Sequence, residues 1–182
     1  MPSMTHSMRA WLREVIMSYR DYEEFIAALN DREVRYLVIG AHAVAFHAAP
    51  RATKDLDLLL DSTKANAQRV LAALRDFFGS DLGYTVSDLI DPTGFIQLGV
   101  APVRIDLLSR MQGCPNFETA WEHRVEARFG GVKAHYLGLD DLIRAKQAAD
   151  RLQDRADVRV LERARTATRL AKRPKRRPLK RD

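Results

Sequence analysis

Residues 38–61 read VIGAHAVAFHAAPRATKDLDLLLD, and this stretch decides the fold. The apolar run Val34–Gly40 is typical of a buried strand, and the residues between Gly40 and Pro50 favour a short helix. The segment Asp55–Asp61 predicts a second strand, which begins with alternating polar and apolar residues. A strand, a turn at Gly40, a short helix and another strand therefore open the predicted sheet.

The rest of the chain adds helices and strands around this unit. We predict helices over 8–28, as one helix or as two split between Ser18 and Asp21, and further helices after residue 61, over 116–129 and over 139–170. Strands are predicted over 94–100, 103–109 and 132–138. The strands at 94–100 and 103–109 are close enough in sequence to form a hairpin. The sequence thus predicts a mixed α/β (α+β) fold. Its sheet has about five strands, cannot be purely parallel, is flanked by helices and is followed by a C-terminal helical segment.

We divide the chain into an N-terminal helix (1–20), a core (21–138), a helical segment packed on the core (139–170) and a basic disordered tail (171–182). The last twelve residues hold seven Lys/Arg and one Asp, so they account for the whole net charge of +6. Such a tail either binds a polyanion such as RNA through counterion release or is a solvated end without a specific role.

Cysteine usage and hydropathy exclude several protein classes. The single cysteine excludes an internal disulfide and a cysteine-built zinc site. No apolar run is long enough to span a bilayer, and the N-terminus lacks the pattern of a secretory signal. We therefore expect a cytoplasmic protein without a membrane partner.

Three carboxylates predict a metal site. Asp55 and Asp57 lie two residues apart on a strand, so they point to the same face and repel each other without a cation. Asp106 interrupts an otherwise apolar strand, and a lone buried carboxylate is costly. Hard divalent cations prefer such oxygen ligands. Three carboxylates can hold two Mg²⁺ ions, or Mn²⁺, about 3.5–4 Å apart for attack on a phosphoryl group.

The turn at Gly40 predicts a phosphate-binding element beside these carboxylates. Glycine permits a tight turn and a close approach of the backbone to a ligand. The helix that follows presents free N–H groups and the positive end of its dipole, which favour phosphate oxygens.

The combination of Gly40-Ala41, Asp55-x-Asp57 and Asp106 resembles the active-site pattern of the DNA polymerase β nucleotidyltransferase superfamily. Within it, residues 38–61 look like the small bacterial nucleotidyltransferases of the AbiEii type, and the resemblance covers roughly Tyr22 to Glu162. The matching positions are Gly40, His47, Arg51, Thr53, Asp55 and Asp57, and then Asp140, Lys146, Arg151, Asp154 and Asp157.

This chain departs from the AbiEii-type pattern at three positions. Ala41 stands where Gly or Ser is usual, which removes a hydroxyl contact to phosphate. Asp150 and Leu152 stand where related sequences often have Gly and Pro, so we expect the C-terminal helix to continue without the usual break.

The resemblance implies a role for each matching residue. Asp55, Asp57 and Asp106 would be the catalytic metal ligands, and Asp106 could accept the proton of the attacking hydroxyl. The nucleotide-binding residues would be Gly40, Ala41, Arg51, Thr53 and Lys146. Arg151, Asp154 and Asp157 would support them by positioning the cations, whereas we interpret His47 as structural.

The implied function is Mg²⁺-dependent transfer of a nucleoside monophosphate from a nucleoside triphosphate (NTP) to an acceptor hydroxyl. The acceptor would be RNA, such as tRNA, or a protein. The enzyme would then be the toxin of a toxin–antitoxin or abortive-infection system, with an antitoxin protein as its partner. Two alternatives stay open: a small-molecule nucleotidyltransferase acting on an aminoglycoside or lincosamide, and a non-catalytic nucleotide-binding module. A DNA-binding regulator is disfavoured because no groove-reading motif is present.

Overall fold

The computed structural model describes residues 19–50, 53–99 and 104–171. These ranges contain the following elements: α1 (Tyr19–Asp31), β1 (Tyr36–Val38), α2 (Gly40–His47), β2 (Asp55–Leu60), α3 (Lys64–Phe78), α4 (Val86–Ile90), β3 (Phe95–Leu98), β4 (Arg104–Leu108), α5 (Phe117–Glu122), β5 (Val125–Phe129), β6 (Val132–Tyr136), α6 (Leu139–Ala149) and α7 (Leu152–Ala171). Most of the predicted N-terminal helix and nearly all of the basic tail lie outside the described residues. The predicted division of the chain into four segments stays a prediction.

One mixed sheet forms the centre of the molecule, in the order β3-β4-β2-β1-β6-β5. Strand β2 pairs parallel with β4 and antiparallel with β1, and β3 pairs antiparallel with β4 as the predicted hairpin requires. The mixed α/β prediction is confirmed. The sheet has six strands because residues 125–129 add one that the sequence analysis missed.

Helices α1 and α3 pack against each other and bury the apolar stripes that predicted them. Tyr22, Phe25 and Ile26 of α1 are fully buried, and so is Val70 of α3. The side chain of Thr63 accepts the backbone N–H of Asn66 and caps the start of α3, and Gly79 ends that helix in the left-handed conformation. The sheet thereby gains an apolar cover that does not line the candidate active site.

The prediction of a single helix over residues 116–129 is wrong. Helix α5 ends at Glu122, and residues 125–129 pair antiparallel with β6 as an edge strand. Gly130 has a φ of 55°, which suits the tight turn between the two strands. Pairing with β6 therefore overrides the helical appearance of the segment.

The prediction of an unbroken helix over residues 139–170 is also wrong. Helix α6 ends at Ala149, and Asp150 adopts the left-handed conformation with a φ of 48°. The Asp150 carboxylate accepts two hydrogen bonds from Arg155, at 2.7 and 2.9 Å. An aspartate thus occupies the position where related sequences often have glycine, because short polar side chains tolerate this backbone conformation.

Helices α6 and α7 contact the same core as the sheet. Leu142 and Ile143 of α6 and Leu161 of α7 are buried within it. Within the described ranges, no helix is both long enough and apolar enough to cross a membrane.

Candidate active site

The register between β2 and β4 brings the predicted carboxylates together. Asp57 is the direct cross-strand partner of Asp106, and Asp55 is the partner of Arg104. Asp55, Asp57 and Asp106 all line a single cleft of about 590 Å³. The predicted convergence of the three carboxylates on one pocket therefore agrees with the observed geometry.

Most of the other predicted residues line the same cleft: Gly40, Ala41, Thr53, Lys146, Arg151 and Asp154. Asp157 contacts Lys146 instead of lining the cleft, and Arg51 lies outside the described residues. His47 has the structural role we expected, because its Nε2 lies 2.8 Å from the carbonyl oxygen of Leu137 and joins α2 to the end of β6.

Like charges crowd the carboxylate side of the cleft. Burial raises the pKa of Asp57 to about 6, and the neighbouring Asp106 and Asp55 contribute to the increase. Burial also raises the pKa of Asp106, although Gln97 donates a hydrogen bond to it at 3.2 Å. The ionised cluster is therefore costly to the fold unless a cation joins it.

Arg104 occupies part of this cluster. Its Nε and Nη2 donate to Oδ1 and Oδ2 of Asp55 at 3.0 and 2.9 Å, which is a bidentate ion pair. Arg104 was not predicted from the sequence as part of the site. It lies two residues before Asp106 on one strand face, so an Arg-x-Asp pattern in β4 was the available signal.

The donor set fits Mg²⁺, but it is not arranged as a finished metal cage. No group of three His, Cys, Asp or Glu side chains in the described part of the chain is positioned to hold a metal ion. The ion pair with Arg104 engages both oxygens of the Asp55 carboxylate. Mg²⁺ usually takes one or two carboxylates and completes its shell with water and substrate phosphate. Asp57 and Asp106 would supply the two carboxylates. Asp55 would become a further ligand once it separates from Arg104.

The start of α2 lies directly against the carboxylates. Gly40 has a φ of 62°, and a Cβ atom at this position would overlap the carboxylate of Asp57. No side chain caps the helix, so its first N–H groups remain available to a ligand beside Gly40 and Ala41. Only glycine allows both the turn and this close approach to Asp57.

Two cations, Lys146 and Arg151, line the same cleft as the carboxylates. The Nζ of Lys146 lies 2.8 Å from Asp154 and 2.9 Å from Asp157, and Arg151 donates to Asp154 at 2.6 Å. The Asp154 side chain is only 1% exposed. The break at Asp150 makes these contacts possible, because it folds the start of α7 back onto Lys146. Asp154 and Asp157 therefore hold the cations in place.

The hydroxyl of Tyr22 links the two strands that hold the carboxylates. Its hydroxyl lies 2.6 Å from the carbonyl oxygen of Lys54 and 3.0 Å from that of Arg104, at the starts of β2 and β4. The side chain is fully buried. From the sequence we predicted only that Tyr22 lies on a helix. Its link to two strands depends on tertiary packing, which the sequence pattern does not show.

The model of one protein family, described as nucleotidyltransferase of unknown function (DUF6036), matches residues 18–164. This chain belongs to that family. The expectation of a nucleotidyltransferase enzyme is confirmed at this level, whereas the AbiEii-type grouping stays a prediction.

Solved structures show that this nucleotidyltransferase shares its fold with an enzyme of known activity. The lincomycin-bound crystal structure of the lincosamide antibiotic adenylyltransferase LnuA is similar over 80% of this chain and 97% of that chain, with a TM-score of 0.52 and 15% identity. A putative nucleotidyltransferase from Thermotoga maritima matches over 85% of this chain and 92% of its own, with a TM-score of 0.48 and 14% identity. No curated protein matches the sequence.

Proposed function

We propose that this nucleotidyltransferase moves a nucleoside monophosphate from an NTP to an acceptor hydroxyl, with Mg²⁺ or Mn²⁺ held by Asp55, Asp57 and Asp106. The observation that carries the proposal is the pairing of Asp57 with Asp106 across β2 and β4, inside a cleft that also contains Lys146. Carboxylates and fixed cations that line one cleft suit a metal-bound triphosphate.

The cations and the carboxylates of the cleft have distinct tasks in this reaction. The first N–H groups of α2 and the ammonium of Lys146 bind and orient the triphosphate. Asp106 accepts the proton of the attacking hydroxyl, and the pyrophosphate leaves as the new phosphodiester forms. When bound, the two metal ions would neutralise charge on the phosphoryl group and on the attacking and leaving oxygens.

The acceptor that we propose is RNA, with tRNA as the first candidate, ahead of a protein hydroxyl. The support is the distribution of charge, because the basic residues concentrate in the C-terminal segment. The resemblance to AbiEii-type enzymes makes a toxin with a cognate antitoxin the corresponding biological role. LnuA acts on a lincosamide, but its similarity extends to the fold alone, so a small-molecule acceptor has no stronger support. The intact set of three carboxylates disfavours a non-catalytic module.

The test is a transfer assay with each α-labelled NTP and Mg²⁺. Total RNA, the protein itself and lincomycin are supplied as separate acceptors. We expect label on RNA with the wild-type chain and none with Asp57→Asn, whereas the exposed control Asp81→Asn should retain transfer. Label only on lincomycin would establish the small-molecule alternative. NTP binding without transfer to any acceptor would support the non-catalytic one.

A further inference from the structure

A row of arginines begins at the cleft, directly before α7, and continues along that helix. Arg151 lines the cleft, and Arg155, Arg159 and Arg163 follow at intervals of four residues on the exposed side of the helix. At 1.5 Å per residue, the row from Arg151 to Arg163 spans about 18 Å. We call Arg155, Arg159 and Arg163 the α7 ridge.

The nearby acidic side chains neutralise only part of the positive charge of the ridge. Arg155 shares its charge with Asp150, but neither Arg159 nor Arg163 has an acidic partner within the described ranges. The acids at the start of α7, Asp154 and Asp157, are buried and point to Lys146. They therefore do not offset the outer surface of the helix.

The charge of the whole chain is divided in the same way. Residues 151–182 contain thirteen Lys/Arg and four Asp/Glu, whereas residues 1–150 contain seventeen Lys/Arg and twenty Asp/Glu. The segment that begins at the cleft thus has a charge of +9, and the remainder has −3. A chain segment with this charge attracts a polyanion.

We propose that the α7 ridge binds the phosphate backbone of a single nucleic-acid strand whose end enters the cleft at Arg151. Guanidinium groups at regular spacing match successive phosphates, and Arg recognises phosphate in a bidentate manner. A small acceptor would not need a row of this length. The entry of the strand into the cleft rests on the proposed function, but binding to the ridge does not require catalysis.

A lipid surface fits the ridge less well. Leu152 and Leu170 are exposed large apolar residues of α7, and they lie near its two ends. The exposed positions between them hold Arg, Ala, Thr and Gln. An interfacial helix requires a continuous apolar face, which α7 does not present to solvent.

The test compares two charge-matched double variants of the full chain. In the ridge variant, Arg159→Gln and Arg163→Gln remove the two ridge arginines that have no acidic partner in the described ranges. In the control, Arg20→Gln and Lys64→Gln remove two exposed cations from α1 and α3, which do not line the cleft. Anisotropy of a labelled, mixed-sequence single-stranded RNA is measured in EDTA without NTP, from about 50 to about 200 mM KCl.

We expect the ridge variant to bind RNA roughly tenfold more weakly than the control at the lower salt concentration. The slope of log K against log salt should fall by about 1.4, because each phosphate contact on a single strand contributes about 0.7. Equal affinities and slopes for the two variants would overturn the proposal. A ridge-dependent affinity for phosphatidylserine vesicles, with unchanged RNA affinity, would also overturn it in favour of a lipid surface.

Binding of a fluorescent ATP analogue with Mn²⁺, measured in parallel, separates this inference from the proposed function. If ATP binds but RNA binding is independent of the ridge, the ridge proposal alone fails. If RNA binding depends on the ridge but no nucleotide binds, the proposed function alone fails.

Discussion

At the scale of the residue, the ionised carboxylate of Asp57 is destabilised by burial and by its charged neighbours. Its carboxylate lies directly against Gly40 and beside two other carboxylates. The ionised form is therefore disfavoured in the metal-free fold. The pKa of about 6 lies well above the ordinary value of 3.8. A difference of this size corresponds to about 3 kcal/mol between the two protonation states.

We therefore predict that Asp57→Asn stabilises the metal-free protein. Because the pKa of Asp57 is raised in the folded state, ionisation costs stability above pH 6, and this cost disappears below about pH 4. In EDTA at pH 8 the variant should gain up to about 3 kcal/mol in the free energy of unfolding. Urea denaturation at pH 8 and pH 4 measures this. A variant less stable than the wild type at pH 8 would contradict the electrostatic account.

Arg104 is the residue that most directly controls access to Asp55. We predict that Arg104→Gln increases the affinity for Mn²⁺ in the absence of nucleotide, since it frees the Asp55 carboxylate and removes a positive charge from the site. An increase of roughly tenfold corresponds to about 1.4 kcal/mol. Titration followed by Mn²⁺ electron paramagnetic resonance measures it, with the exposed Arg75→Gln as control. Equal affinity in the two variants would show that the ion pair does not compete with the metal.

The sequence predicted the three carboxylates because the period of a strand places Asp55 and Asp57 on one face. It did not predict Arg104, Gln97 or Tyr22 as parts of the site. The contacts of Gln97 and Arg104 depend on which strands are neighbours and in what register. Those of Tyr22 depend on how α1 packs under β2 and β4. Local periodicity contains neither kind of information.

At the scale of elements, the turn between α6 and α7 brings Lys146 and Arg151 together at Asp154. The motif spacing predicted that Lys146, Arg151, Asp154 and Asp157 act together, and it correctly selected residues that meet. The break itself was missed because Asp150 and Leu152 replace the usual Gly and Pro. Strand β5 was also missed, although the sequence Gly130-Gly131 between two short runs was an available hairpin signal.

We predict that Asp154→Asn weakens both the fold and NTP binding. It leaves the nearly buried Lys146 with Asp157 alone, and breaking a buried ion pair costs about 3–5 kcal/mol. Because Asp157 remains, we expect the lower end of this range, together with a weaker affinity for ATP. Asp150→Asn is the control, since its ion pair with Arg155 is exposed and contributes under about 1 kcal/mol. Equal losses in the two variants would contradict a positioning role for Asp154.

At the scale of the whole molecule, the boundary between the neutral and the positively charged parts of the chain does not coincide with a boundary of the fold. One core includes the sheet, α6 and α7, yet the positive charge is concentrated from residue 151 onward. From the sequence, we attributed the charge excess to the last twelve residues only. The structure extends it to the exposed side of α7, because Asp154 and Asp157 are buried whereas Arg155, Arg159 and Arg163 are exposed. Counting residues could not reveal this, since it depends on which face of α7 is buried.

The most direct test of the account is Mn²⁺ binding in the presence of a non-hydrolysable ATP analogue, measured by electron paramagnetic resonance. The wild-type chain and the exposed control Asp81→Asn should bind Mn²⁺ equally, and Asp57→Asn and Asp106→Asn should each lose at least roughly tenfold in affinity, or about 1.4 kcal/mol. Wild-type affinity in both active-site variants would show that the carboxylates paired across β2 and β4 do not form the metal site.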